Sequence, residues 1–364
     1  MLIYLHIPFC HRVCPYCSFY KHTPGSTPIP AFIDALIAEA RQRIPQSGNT
    51  PRTLYLGGGT PSMLSPAHLQ RLFAGLSEII HLPSLEEITL EANPATFDLE
   101  KARLFRSLGI TRVSLGIQSF TPHVLATLGR EHTPQQAATS VHTLRQAGIP
   151  SVNIDLMFSI PGQSPDDWLN TLQQAISLQP DHISAYNLTY EEDTAFFDSL
   201  RRGEMSENED IDARYFHLAV EKLTTAGFDH YETSNYARPG HHSRHNQGYW
   251  QGQDYLGLGP SAVSTLHAIR SRNVPDTAQY VQRIASIGNA ITETESLDAP
   301  ALRIERIALG LRTTQGIPLA WLDTPALQRA HHLVSESLAH IQNDHLILIH
   351  RGRALVDPIA AELI

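Results

Sequence analysis

Cysteine is scarce in this sequence: three in 364 residues, all between positions 10 and 17. An odd number packed so closely is a poor disulfide framework, which excludes a small cross-linked secreted fold. Thiols in such a cluster persist best in a reducing compartment, so a cytoplasmic location is expected. Long apolar runs are missing too. No stretch of about 18 uninterrupted apolar residues occurs, so no membrane-spanning helix is expected. The apolar start, Met1–Phe9, lacks a basic region and a small-residue cleavage site and runs straight into the cysteines, so it does not read as a signal peptide. Positive charge is in deficit, with 27 Lys and Arg against 36 Asp and Glu and a net charge of −9. That balance argues against a nucleic-acid partner, which requires a basic face to replace phosphate counterions.

What is present is regular alternation. Short apolar or β-branched runs at Leu2–Ile7, Thr53–Leu56, Glu87–Glu91, Arg112–Gly116, Val152–Met157 and His182–Leu188 read as strands. Between them, Ala31–Ile44, Ala67–Ile80, Leu99–Leu108, Pro134–Gln146 and Pro165–Leu178 read as amphipathic helices. Ser65-Pro66 and Ser164-Pro165 supply N-terminal caps. Strand–helix repetition implies a parallel sheet with right-handed crossovers, and six units fit an open partial barrel. A last unit, Ile211–Ala226 and His230–Tyr236, ends a core spanning 1–237. Residues 238–275, rich in Gly, His, Asn and aromatics, form a connecting segment. From 276 to 364 we expect a small domain with helices at Thr277–Ile287, Ala299–Leu311 and Pro325–Ile341. A hairpin follows, His345–Ile349 and Arg353–Val356, turning at Arg351-Gly352.

The chemistry concentrates in Cys10-His11-Arg12-Val13-Cys14-Pro15-Tyr16-Cys17, a C-x3-C-x2-C loop directly after the first strand. Thiolates are soft ligands suited to iron–sulfur clusters or zinc. Three cysteines can hold three corners of a [4Fe–4S] cubane and leave one iron open to a further ligand. Structural zinc, with His11 or His22 as fourth ligand, is the alternative, but only half of the usual paired knuckle is present.

A C-x3-C-x2-C loop after the first strand of a βα barrel resembles the radical S-adenosylmethionine (SAM) superfamily. The resemblance covers most of residues 1–235. It implies that the open iron is chelated by SAM and that the glycine run after strand two, Gly57-Gly58-Gly59-Thr60-Pro61, contacts the methionine part. Glycines there let backbone approach a ligand and expose N–H groups to a carboxylate. Glu91, Gln118, Arg130 and Asp155 fall at or after later strand ends, where barrel active sites form. Together they match the hydroxyl, carboxylate and ammonium groups of SAM. More closely, the chain is similar to the oxygen-independent coproporphyrinogen III oxidase family, in which a tyrosine precedes the first cysteine by six positions, as Tyr4 does here. The resemblance assigns Tyr4, Tyr16, Gly58, Gly59, Thr60, Glu91, Gln118, Arg130 and Asp155 to SAM, with Cys10, Cys14 and Cys17 on the cluster.

That family contains both the oxidase and the HemW-type heme chaperones. The oxidase has a further cysteine two positions after the third, where this chain has Phe19, and an arm ahead of its first strand, where this chain reaches Cys10 almost at once. Decarboxylating activity is therefore not expected, and no catalytic residue is assigned. The chaperones carry H-N-x-x-Y-W beyond the barrel, and His245-Asn246-Gln247-Gly248-Tyr249-Trp250 matches every fixed position. Ser18 departs from the acid common after the third cysteine. A neutral imidazole is an ordinary axial ligand of heme iron, and Tyr and Trp offer flat faces to the macrocycle. The resemblance thus assigns His245, Asn246, Tyr249 and Trp250 to heme, with His241 and His242 as alternative ligands. On spacing alone, the motif would read as a loop anchor. Heme-accepting proteins, including membrane-bound ones touched peripherally, are the implied partners, and a homodimer is compatible with the acidic surface. The other functions weighed are the oxidase and a tRNA-modifying radical SAM enzyme, the latter disfavoured by charge.

Overall fold

The computed structural model describes residues 1–25, 28–349 and 351–364. Six parallel strands run in sequence order: β1 (Leu2–Ile7), β2 (Thr53–Gly58), β3 (Glu87–Ala92), β4 (Arg112–Gln118), β5 (Ser151–Phe158) and β6 (His182–Asn187). Each is joined to the next through helix, as the alternation requires. Among the described residues the sheet does not close on itself, so this is a partial (β/α)6 barrel. Alternate residues take opposite faces of each strand. Ile3, Leu5, Leu54, Leu56, Leu90, Val113, Leu115, Val152, Ile154 and Leu156 are buried in the main apolar core. Their neighbours Tyr4, His6, Tyr55, Glu91, Ser114 and Asp155 form the polar inner wall.

The connecting segment is more ordered than its composition implies. A short helix, Arg244–Trp250, is capped by Ser243. The sheet then continues on both sides of the six strands. β7 (Asp229–His230) and β8 (Asn235–Ala237) form a tight hairpin beyond β6, where one strand over His230–Tyr236 was expected. On the other side β9 (Tyr255–Leu258) pairs parallel to β1, followed by β10 (Val263–Leu266), β11 (Ile269–Asn273) and β12 (Ile291–Ser296), each antiparallel to its predecessor. Helix Thr277–Ile287 buries Tyr280 and Ile284 in the main core. A second core begins only at Ile307, so the two cores divide between β12 and helix Ala299–Gly310 rather than at 276.

The C-terminal hairpin lies earlier than the sequence pattern implied. The third helix stops at Ser335, and Ala339–Gln342 pairs with His345–Leu348 across Asn343-Asp344, both at positive φ. Arg351-Gly352 belongs to a helical turn, Arg351–Ala354, followed by a helix over Val356–Leu363. Gly352 is there for closeness: a Cβ on it would collide with the Leu338 carbonyl oxygen. His350, within the expected hairpin, lies outside the described residues.

Candidate functional site

The cysteine loop leaves β1 and is pinned at its base. Cys10 N–H donates to the His22 carbonyl and His22 N–H to that of Pro8, both at 2.9 Å. Its far side packs on a small apolar cluster through Tyr16 and Phe196, and Phe196 N–H donates to the Pro15 carbonyl. Cys10, Cys14 and Cys17 are half-buried and line one cavity of about 410 Å³ at the C-terminal ends of the strands. The Thr60 hydroxyl lies 3.6 Å from Cys10 Sγ, and an Arg130 guanidinium nitrogen 3.8 Å from Cys14 Sγ. His11 is engaged by Glu131 at 2.8 Å and His22 by Thr277 at 2.7 Å, so neither imidazole turns to the thiols. Among the described residues, no three His, Cys, Asp or Glu side chains converge on a single ion.

The same cavity is lined by Tyr16, Gly58, Gly59, Thr60, Glu91, Gln118, Arg130 and Asp155, eight of the nine residues expected around SAM. Glu91 accepts from the Tyr55 hydroxyl at 2.8 Å and from Gly58 N–H at 3.1 Å, and burial pushes its carboxyl up to about 7. Asp155 accepts from Ser114 and Asn153, and burial raises its pKa as well. Arg130 donates to Asn93 Oδ1 at 2.6 Å, and Asn93 in turn donates to Thr60 at 2.9 Å. Gln118 sits at φ 67 beside a register shift in β4, a bulge that turns its side chain into the rim.

The glycine run works differently from the expectation of free N–H groups. Gly58 N–H is spent on Glu91, Gly59 N–H on the Ile7 carbonyl and Thr60 N–H on that of Phe9, the last two at 2.8 Å. A Cβ on Gly59 would meet the backbone of Phe9, Pro8 and Ile7 at 2.7–2.9 Å. The glycines let the second loop dock against the cysteine-bearing one.

Tyr4 is the ninth residue, and it is elsewhere. It lies at the level of Tyr55 in the β1–β2 register, and Tyr55, stacked on it at 6.0 Å, stands between it and the rim. Tyr4 instead lines a second cavity of about 610 Å³ with Tyr20, Tyr55, Tyr249, Tyr255 and His245. Tyr55, Ser18 and Phe19 line both spaces.

The H-N-x-x-Y-W helix closes the barrel's foot beneath that second cavity. Buried Glu87 accepts the N–H groups of Arg244 and His245 at 3.0 and 3.2 Å, opposite the positive end of the helix. Gly248 presses on Leu2, leaving no space for a Cβ. His245 is 1 % exposed. Thr53 holds its Nδ1 at 2.7 Å, Tyr55 and Tyr249 lie 4.9 and 5.0 Å from its ring, and Nε2 has no partner among the described residues. Burial holds this imidazole down to about 3, so it is neutral at any physiological pH. Asn246 and Tyr249 line the same cavity. Trp250 does not: it faces a separate crevice with His242, Trp321 and His345. His242 stacks on Tyr231 at 4.2 Å and His241 contacts Ser151, so neither alternative histidine borders the aromatic cavity.

Sequence reasoning missed Tyr55, Asn93 and Ser114 on the rim. Their signal was period two: Asn93 follows Glu91 by two, and Ser114 precedes Gly116 by two, so each shares the inner face.

Comparison with known proteins agrees with this geometry. The radical SAM superfamily pattern matches residues 4–175. The chain is 37% identical over 367 residues to the heme chaperone HemW of Mycobacterium tuberculosis, covering all of this chain and 94% of that one. It is 31% identical to the heme chaperone HemW of Bacillus subtilis, covering 97% and 96%. The Escherichia coli coproporphyrinogen III oxidase (HemN) structure superposes with a TM-score of 0.85 at 24% identity, covering 100% of this chain and 89% of that one, which establishes the shared fold. With the cysteine loop, the polar rim and the complete H-N-x-x-Y-W helix in place on that fold, the chain belongs to the HemW family of heme chaperones within the radical SAM superfamily.

Proposed function

We propose that the protein binds heme in the aromatic cavity and passes it to acceptor proteins such as respiratory cytochromes, with a [4Fe–4S] cluster and SAM in the neighbouring rim cavity. The observation that carries the heme reading is His245: a neutral, buried imidazole whose Nε2 has no partner among the described residues, bordering a space of about 610 Å³ walled by tyrosines. With Nδ1–H donating to Thr53, Nε2 keeps the lone pair that iron requires. Asn246 and Tyr249 complete that wall, and Trp250 braces the helix from the crevice behind it.

Cys10, Cys14 and Cys17 fit the cluster. They share one cavity wall, and the histidines that could have completed a zinc site are bonded elsewhere. The cluster with SAM supplies one-electron chemistry when bound. The chain's own contribution is to bind and orient: Arg130, fixed by Asn93, offers a cation to the SAM carboxylate, while Glu91 and Asp155 face its hydroxyl and ammonium groups. Phe19 stands 67 % exposed at the mouth, where the oxidase carries its further cysteine. The oxidase reading has no such support.

Heme titration followed by an anaerobic decarboxylation assay tests this. Uptake with a Soret band and no carbon dioxide release from coproporphyrinogen III is the expected result; stoichiometric release would overturn it. His245→Ala should shift or erase the Soret band, whereas Cys14→Ala should abolish the cluster and leave heme binding intact.

A further inference from the structure

Heme is an apolar disc with iron at its centre and two carboxylates on one edge, and the cavity walls account for only the first two features. Its sides are aromatic and its foot is the His245 imidazole. A carboxylate edge requires a cation at the rim, and among the described residues lining this cavity the one permanent cation is Arg272.

Arg272 ends the regular part of β11, immediately before a register shift at Asn273. The bulge is locked from below, because the Asn273 amide donates to Glu39 at 2.7 Å and to the Gly259 carbonyl at 2.9 Å. Such bulges re-aim the side chain beside them. Arg272 then donates to the Ser261 hydroxyl at 3.1 Å. Ser261 itself is held at φ 61, an unfavourable conformation for a residue with a Cβ, and it borders the same cavity. Glu293 is the cross-strand neighbour of Arg272, yet the two form no ion pair within 4.0 Å, whereas Arg270, two residues away, is paired with Glu305 at 2.6 Å. The chain therefore neutralises one arginine of this strand and leaves its neighbour's charge at the mouth of an aromatic cavity.

We infer that Arg272, positioned by Ser261, is the carboxylate anchor of the heme cavity and receives a propionate side chain of the bound porphyrin. This rests on the heme reading above and adds an orientation to it: propionates toward β11 and the solvent, and the apolar edge toward Tyr4 and Tyr55. A guanidinium recognises a carboxylate through paired N–H donors, which a neutral ester cannot match in charge.

The test compares iron protoporphyrin IX with its dimethyl ester on the full chain, following the Soret band. The wild type should bind the diacid about three- to ten-fold more tightly, the range for a charged pair at a partly exposed rim. Arg272→Gln should reduce that ratio to near one while leaving the Soret position unchanged, because the His245 bond is untouched. Equal wild-type affinity for acid and ester, or a ratio that survives in Arg272→Gln, would overturn the anchor and leave the heme reading standing. No Soret band with either porphyrin would overturn the heme reading, and the anchor with it.

Discussion

Replacing Gly59 with alanine perturbs one spot in the fold, and its consequence reaches the cysteines. The added Cβ would lie 2.7 Å from the Phe9 carbonyl oxygen, 2.8 Å from the Pro8 carbonyl carbon and 2.9 Å from the Ile7 oxygen. All three are backbone atoms, so no side-chain rotation relieves the clash. The loop carrying Cys10 must move, and with it the Gly59–Ile7 and Thr60–Phe9 hydrogen bonds at 2.8 Å. Overpacking of this kind costs about 1–3 kcal/mol. For 364 residues at about 2.1 cal/mol/K each, every kcal/mol lowers Tm by about 1.3 °C, so a drop of about 1–4 °C is expected. The larger effect should be on iron content after anaerobic reconstitution, because Cys10 follows the displaced Phe9 directly. Gly48→Ala is the control: at φ 66, with nothing within 4 Å, it incurs left-handed strain of about 1 kcal/mol far from the cysteines. Full iron loading and an unshifted melt in Gly59→Ala would refute the close-docking role of the glycine run.

Glu91, raised by burial to about 7, favours the folded state below its unfolded pKa, and that advantage is lost as pH rises through 7. Glu91→Gln should remove a wild-type stability loss of about 2–3 kcal/mol between pH 5 and 8, read from urea midpoints; parallel pH profiles would contradict the shift. Glu87→Ala removes the acceptor of the first two N–H groups of the Arg244–Trp250 helix and should cost about 1–3 kcal/mol, with amide exchange of that helix accelerating first. Arg130→Ala and Asp155→Ala should each weaken SAM binding by about ten-fold or more in calorimetric titration while iron content stays at the wild-type level; unchanged affinity in both would remove the rim assignment.

Much of this was legible because the inner and outer faces of each strand differ in polarity. The run from Leu2 to Ile7 alternates apolar with Tyr4 and His6, and β1 has those same bounds, whereas the ends of β2–β6 differ from the expected ones by one or two residues. The rim residues at strand ends were visible for the same reason. Less visible was anything that depends on depth. Tyr4 and Tyr55 share an inward face with Glu91, but a linear sequence does not show that they stand one layer below it, so Tyr4 read as a SAM contact. Trp250 could not be separated from His245 on spacing alone, because a seven-residue helix turns the two onto different surfaces. The added strands were hidden by the shortness of β9 and β10 and the polar composition of β11 and β12, since their pairing with β1 and with one another is a tertiary effect.

An open barrel has an edge problem that a closed one lacks, and the outer strands answer it. Were the sheet to end at β1, a six-residue, largely apolar strand would offer its unpaired backbone to any passing chain. Instead β9–β12 carry the boundary out to Ile-Thr-Glu-Thr-Glu-Ser, exposed along nearly all of its length, with Glu293 and Glu295 on one side. At the opposite boundary β7 is only two residues long, Asp229 and His230. A short strand and a negatively charged one are poor templates for edge-to-edge pairing. Two copies meeting at β12 would bring carboxylates together, which disfavours pairing at that edge. With both outer strands poor templates for pairing, the sheet can stay open without presenting a long free edge.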